Sequence, residues 1–167
     1  MAASRTKEAY NRYIYDFISE VYVECPSCGK RAIVKANQFS FAKMTNDVKM
    51  ICEKCGYNKY LDKMPTSILY GFDKKGTNNN YLAIGCSVDP FFHLPLWLAQ
   101  NCCSNVLWAY NYKHLEFLKD HVEAKLRERN TVEMSNRSLG SRLPQWIISK
   151  NNRETILKTV EFLMSKT

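Results

Sequence analysis

Two short stretches decide the fold: Cys25-Pro26-Ser27-Cys28-Gly29-Lys30 and Cys52-Glu53-Lys54-Cys55-Gly56-Tyr57. Cys-x-x-Cys places two thiolates on one tight turn, where both reach the same ion. The glycine that follows permits the positive-φ conformation that turns backbone amides toward the sulfurs. Two such turns supply four sulfurs, enough for a tetrahedron, and the 23 residues between Cys28 and Cys52 suffice for a β-hairpin that links them. The spacing predicts a metal ion held by Cys25, Cys28, Cys52 and Cys55. Zinc is the favoured ion, one per chain. Four thiolates leave no open coordination position, so such a site cannot activate water and is structural. Iron held by very similar turns, with an electron-transfer role, is the alternative, and the colour of the protein separates the two. A redox pair at Cys25 and Cys28 would need an unpaired motif in a βαβ setting, and the second pair argues against it.

Outward from these turns, short β-prone runs at Tyr22–Glu24, Arg31–Lys35, Val48–Ile51 and Tyr57–Leu61 predict a small antiparallel sheet over residues 21–63. It holds too little apolar material for an independent core, so the metal must supply the missing stability. Residues 5–20 read as an N-terminal helix (domain span 1–20) that packs on the C-terminal domain, with Tyr10, Tyr13, Ile14, Phe17, Ile18 and Val21 as one apolar stripe. Residues 64–167 read as an α+β domain. Ser67–Phe72 and Tyr81–Ile84 are short strands, and Leu94–Ala99 and Val106–Tyr110 form a hairpin with a polar tip at 100–105 and Pro95 at a strand start or edge. About three helices close the chain. One follows Asn111 as N-cap, with Leu115, Leu118, Val122 and Leu126 inward to about Arg129. A shorter one around Leu139, Leu143, Trp146 and Ile147 is interrupted at Pro144, and a last one opens on a capping box at Asn151–Glu154 with Ile156, Leu157, Val160, Leu163 and Met164 as its core face. The fold class is therefore α+β.

The residues Cys25–Gly29 and Cys52–Gly56 on short β-prone segments resemble the zinc-ribbon superfamily of zinc-finger modules. That resemblance covers about a quarter of the chain and implies the four metal ligands; it implies no partner, because zinc ribbons serve in nucleic-acid proteins and in adaptors alike. Phe91–Leu98, Leu107–Asn111 with His114 and Leu115, and Ser141–Trp146 look like segments of small bacterial zinc-ribbon proteins. This second resemblance implies a shared fold and a bacterial source, and adds no chemistry.

The net charge of +8 is unevenly placed: 11 Lys/Arg against 7 Asp/Glu in residues 1–70, balance in 71–110, and 11 against 7 in 111–167. Two basic ends favour an anionic partner such as DNA or RNA. Candidate contacts are Lys30, Arg31, Lys35, Lys49 and Lys54 on the ribbon, with Lys43 and Lys59 nearby and Phe39, Phe41, Tyr57 and Tyr60 interleaved. Arg142 and Arg153 join them from the C-terminal helices. The competing explanation is a solvated sheet face and ordinary helix-end cations. The leading expectation is a non-catalytic, nucleic-acid-binding accessory protein; the alternative is an adaptor that docks a protein through the ribbon or the aromatic middle segment.

No catalytic residue is legible. Cys102 and Cys103 are adjacent on a predicted turn and read, with Cys86, as partly buried free thiols; His93, His114 and His121 read as surface or core-edge residues. Trp97, Trp108, Trp146, Phe91, Phe92 and Tyr110 read as core. No phosphate-cradling glycine loop or small-molecule substrate motif is present. The first residues lack the apolar stretch of a secretory signal, and the longest apolar run, Phe91–Ala99, is too short to span a membrane. With cysteines in metal-type pairs, a cytoplasmic, reducing setting is expected.

Overall fold

A computed structural model describes residues 12–36, 48–62, 84–124 and 138–166. The chain forms two compact units, Ile18–Trp97 and Met1–Phe17 with Leu98–Thr167. Strands and helices both occur, so the class is α+β. Among the described residues no helix is long and apolar enough to cross a membrane.

The first unit is built on a four-stranded antiparallel sheet in the order β1 (Glu20–Glu24), β2 (Arg31–Ala36), β3 (Val48–Ile51), β4 (Asn58–Tyr60). Burial alternates along β1 to β3, as a sheet with one covered face requires. Val21, Val23, Ala32, Val34, Ala36, Val48 and Met50 point to the covered face and are fully buried. The register sets Val21 opposite Val34 and Val34 opposite Met50. Ile18, Phe91 and Leu96 of the same unit are buried as well.

The expected N-terminal helix is not there in its described part. A single 3-10 turn spans Ile14–Phe17, and the chain is already in β1 at Glu20. The reason lies in the same residues: Val21 and Val23 are β-branched and alternate with Tyr22, which suits a pleated strand better than a helix. Tyr13, taken as a core tyrosine, is exposed, while Phe17, Ile18 and Val21 are buried. Tyr10 lies outside the described residues.

The run Leu94–Ala99 divides. Glu24 N–H donates to the Pro95 carbonyl at 2.9 Å, Trp97 N–H donates to the Tyr22 carbonyl at 2.9 Å, and Val23 bridges Leu96, so 95–97 lines the outer edge of β1. Only from Leu98 does the chain enter the hairpin of the second unit. Proline, with a fixed φ and no N–H, fits an edge bridge and not a ladder. The loop before it wraps around Asp89. This carboxylate is 0% exposed and accepts N–H groups from Phe91 (2.9 Å), Phe92 (2.8 Å) and Leu94 (2.6 Å), while its own N–H donates to the Leu94 carbonyl. His93 between them adopts φ +56°.

The described residues of the second unit form a hairpin, β5 (Leu98–Cys102) and β6 (Asn105–Ala109), the α-helices α1 (Tyr112–Glu123), α2 (Leu139–Arg142), α3 (Gln145–Ile148) and α4 (Arg153–Met164), and a short 3-10 segment at Lys150–Asn152. The hairpin tip is tighter than the six-residue loop expected from its polar residues. Cys102 pairs with Asn105 across a two-residue turn, Cys103-Ser104, with φ of +50° and +59°. Both central residues at positive φ match the strand twist, at a strain of roughly 1–2 kcal/mol each for side chains other than glycine. Asn105 Nδ2 steadies the turn by donating to the Cys103 carbonyl at 2.8 Å.

Asn111 caps α1 as expected: its side-chain oxygen accepts the His114 N–H at 3.0 Å, and its Nδ2 donates to the Phe17 carbonyl at 2.9 Å. Leu115, Leu118 and Val122 face inward, while Leu126 lies outside the described residues. Pro144 separates α2 from α3. α4 packs on α1 and β5 through Ile156, Val160 and Leu163, but the expected capping box does not form. Asn152 is in a helical conformation and turns its amide to the Trp146 carbonyl at 2.9 Å instead of bonding the first turn of α4.

Candidate metal centre and the cations around it

The two Cys turns repeat one backbone design. Cys25 N–H donates to the Lys30 carbonyl at 2.8 Å and Gly29 N–H to the Cys25 carbonyl at 2.8 Å; Cys52 N–H donates to the Tyr57 carbonyl at 2.8 Å and Gly56 N–H to the Cys52 carbonyl at 2.9 Å. Gly29 and Gly56 sit at φ +67° and +74°, the left-handed region that side chains with a Cβ resist. Each turn also aims one amide at sulfur, Lys30 N–H at Cys28 and Tyr57 N–H at Cys55.

The sheet carries the first turn between β1 and β2 and the second between β3 and β4, and its register brings them together. Cys25 Sγ lies 3.7 Å from Cys55 Sγ, Cys28 Sγ lies 3.7 Å from Cys52 Sγ, and all four sulfurs lie within 4.8 Å of one another. None of the seven cysteines is in a disulfide. A tetrahedron with metal–sulfur bonds of about 2.3 Å has edges of about 3.8 Å, so the two 3.7 Å pairs match such an edge and the four sulfurs are close enough together to hold one ion. Among the described residues this is the one cluster of three or more Cys, His, Asp or Glu ligand atoms with that closeness.

The protonation pattern of the bare thiols leads to the same conclusion. The Tyr57 amide pulls Cys55 down to about 7. At Cys28 the Lys30 amide lowers the pKa, but desolvation and the neighbouring sulfurs of Cys55, Cys52 and Cys25 outweigh it and push the thiol up to about 12. The neighbouring sulfurs favour the thiolate at Cys55 and the thiol at Cys28, so the four do not ionise together unaided. A cation is what allows all four to be thiolates together.

No protein-family model matches the chain, and neither a curated protein nor a solved structure matches it.

The candidate nucleic-acid contacts fall in two groups. Lys30 and Lys54 are exposed on the two Cys turns, and Arg31, Lys35 and Lys49 are half-buried on the outer face of the sheet. Arg31 lies over the Tyr22 ring at 5.4 Å. This face is not uniformly basic: Glu24 stands opposite Arg31 and Glu20 opposite Lys35, whereas Lys35 stands opposite Lys49. Arg142, at the end of α2, and Arg153, the first residue of α4, belong to the other unit. Phe39, Phe41 and Lys43 lie outside the described residues.

Several of the other singled-out residues are buried. His114 and His121 are not at the surface or core edge: they are 2% and 1% exposed. His114 Nδ1 accepts the Tyr110 N–H at 3.2 Å, and its ring stacks on Phe17 and meets Trp108 edge-on. Burial drives its pKa down to about 3, so it is a neutral core residue. Cys102 is buried and takes a hydrogen bond from Thr159 Oγ1 at 3.4 Å; its sulfur lies 3.7 Å from that of Cys103, whose thiol is pushed up by desolvation and by this neighbour. Asp89, which the sequence reading passed over, is pushed up by burial, with its three N–H donors and His93 acting the other way. Its signal was available as Asp-Pro opening an apolar run, a common turn starter.

Proposed function

We propose that this chain is a zinc-ribbon protein whose Cys25, Cys28, Cys52 and Cys55 hold one structural Zn2+, and that the ribbon so fixed binds nucleic acid as a non-catalytic accessory protein. Zinc suits four thiolates at tetrahedral spacing, and with all four positions filled by protein the ion supplies rigidity and no reactive water. The observation that carries the nucleic-acid reading is the placement of Lys30, Arg31, Lys35, Lys49 and Lys54 on the two turns and the outer sheet face, all fixed by the same four sulfurs. Cations held on a rigid frame neutralise phosphates at little ordering cost.

Binding of labelled DNA and RNA across a salt series tests it. Affinity that falls steeply with salt, and is lost when Lys30, Arg31 and Lys35 are reversed to Glu, supports the reading. No binding at low salt removes it. A protein-docking role is favoured by one observation, Phe162 on α4 at 54% exposure; the aromatic middle segment offers less, since Phe91 and Tyr110 are buried.

A further inference from the structure

The outer face of the sheet is polarised across its strands. One row of register partners reads Glu20, Lys35, Lys49, Tyr60 from β1 to β4, and the next reads Tyr22, Ile33, Ile51, Asn58. The acids, Glu20 and Glu24, both belong to β1. Toward β4 the face turns basic and aromatic.

Two features of that half are unfavourable in the isolated protein. Lys35 and Lys49 are direct cross-strand partners, and like charges so placed repel. Neither ammonium makes an ion pair or hydrogen bond with a described residue. Beside them Tyr60 is 59% exposed, the most exposed large apolar side chain described. It stands directly opposite Lys49, on a strand whose outer edge pairs with no described segment. An anion between the two lysines relieves the repulsion, and a flat ring on Tyr60 covers the exposed aromatic. With strands about 4.8 Å apart, Lys35, Lys49 and Tyr60 span about 10 Å, the scale of one nucleotide and its phosphate.

We infer that this half of the face binds single-stranded nucleic acid, with a backbone phosphate between Lys35 and Lys49 and an unpaired base stacked on Tyr60. The inference rests on the nucleic-acid reading above and narrows it. A base offers its flat face to Tyr60 only when it is unstacked, which a duplex does not allow. Half-buried Ile33 and Ile51 beside the lysines extend the apolar floor on which a splayed base rests.

The test is fluorescence anisotropy with the full zinc-loaded chain and three probes of one sequence: single-stranded DNA, single-stranded RNA and duplex DNA. A single strand, of DNA or RNA, binds more tightly than the duplex. Tyr60→Ala weakens that binding roughly 5- to 150-fold, the range for one stacked base, and Tyr60→Phe, which keeps the ring, restores it. Lys49→Glu weakens binding and lowers its salt dependence, whereas Lys158→Glu, in the other unit, does neither. Zinc content and circular dichroism of each variant confirm that it is folded. Equal affinity for duplex and single strand, with Tyr60→Ala indifferent, overturns this inference and leaves the broader reading standing. No binding of any probe at low salt removes both.

Discussion

The sheet unit and the helical unit solve the same problem with different materials. The sheet unit buries Val21, Val23, Ala32, Val34, Ala36, Val48 and Met50 on its strands and Ile18, Phe91 and Leu96 outside them, and joins its strand ends at four sulfurs. The helical unit buries Leu107, Tyr110, Leu115, Leu118, Val122, Ile156, Val160 and Leu163 on α1, α4 and the hairpin, and includes no metal-type cluster among its described residues. Among the described residues no outer-face side chain of β1 to β4 is fully buried, whereas α1 and α4 of the helical unit pack through fully buried leucine, isoleucine and valine. The proposed binding surface and the four-cysteine cluster belong to the same unit.

The largest expected effect follows from removing the ion. Structural zinc in small modules contributes on the order of 10 kcal/mol. Elemental analysis should give one zinc per chain, and Cys52→Ser should abolish it and unfold the sheet. In the helical unit the comparable perturbation is a cavity: Ile156→Ala, at a fully buried position, should cost about 2–5 kcal/mol in denaturant melts and leave zinc content unchanged.

Acid separates the units in another way. His114 is neutral in the fold, with a pKa of about 3 against 6.5 for the free side chain. Below pH 6.5 the unfolded chain takes up a proton that the folded chain refuses. This group's contribution to stability is therefore complete above pH 6.5 and falls by roughly 1.4 kcal/mol per pH unit down to about pH 3. Melts of His114→Gln, which cannot titrate, should lack this part of the slope. Asp89→Asn should cost about 1–3 kcal/mol, because an amide cannot accept N–H groups on both of its ends. Last, Gly29→Ala should cost about 1–2 kcal/mol by backbone strain alone, since no atom lies within 4 Å of the added Cβ. A much larger loss would show that the turn is crowded as well as left-handed.

How much of this was legible follows the same division. The four strands and the ligand turns were readable because their signals are local: a Cys-x-x-Cys-Gly turn and a period-two run need no distant partner. The N-terminal helix was misread because Phe17, Ile18 and Val21 satisfy a helical spacing while Val21 and Val23 also alternate, and pairing with β2 decides between the two. Leu94–Ala99 looked like one strand, and only the bonds from Glu24 and Trp97 reveal that its halves serve different units. His114 and His121 share a face with Leu118, a pattern that admitted burial, but the acceptor role for the Tyr110 N–H depends on tertiary contacts. The four cysteines are the part of the candidate site that the sequence specified in full. The outer-face row from Glu20 to Tyr60 requires strand register, which no local pattern supplies.

One metal ion is expected to hold the sheet unit and not the helical unit. Hydrogen–deuterium exchange of the full chain, with and without a zinc chelator, tests it most directly. Amides of β1 to β4 should lose protection on chelation while those of α1 and α4 keep theirs. Unchanged protection across β1 to β4 after the metal is gone would contradict it.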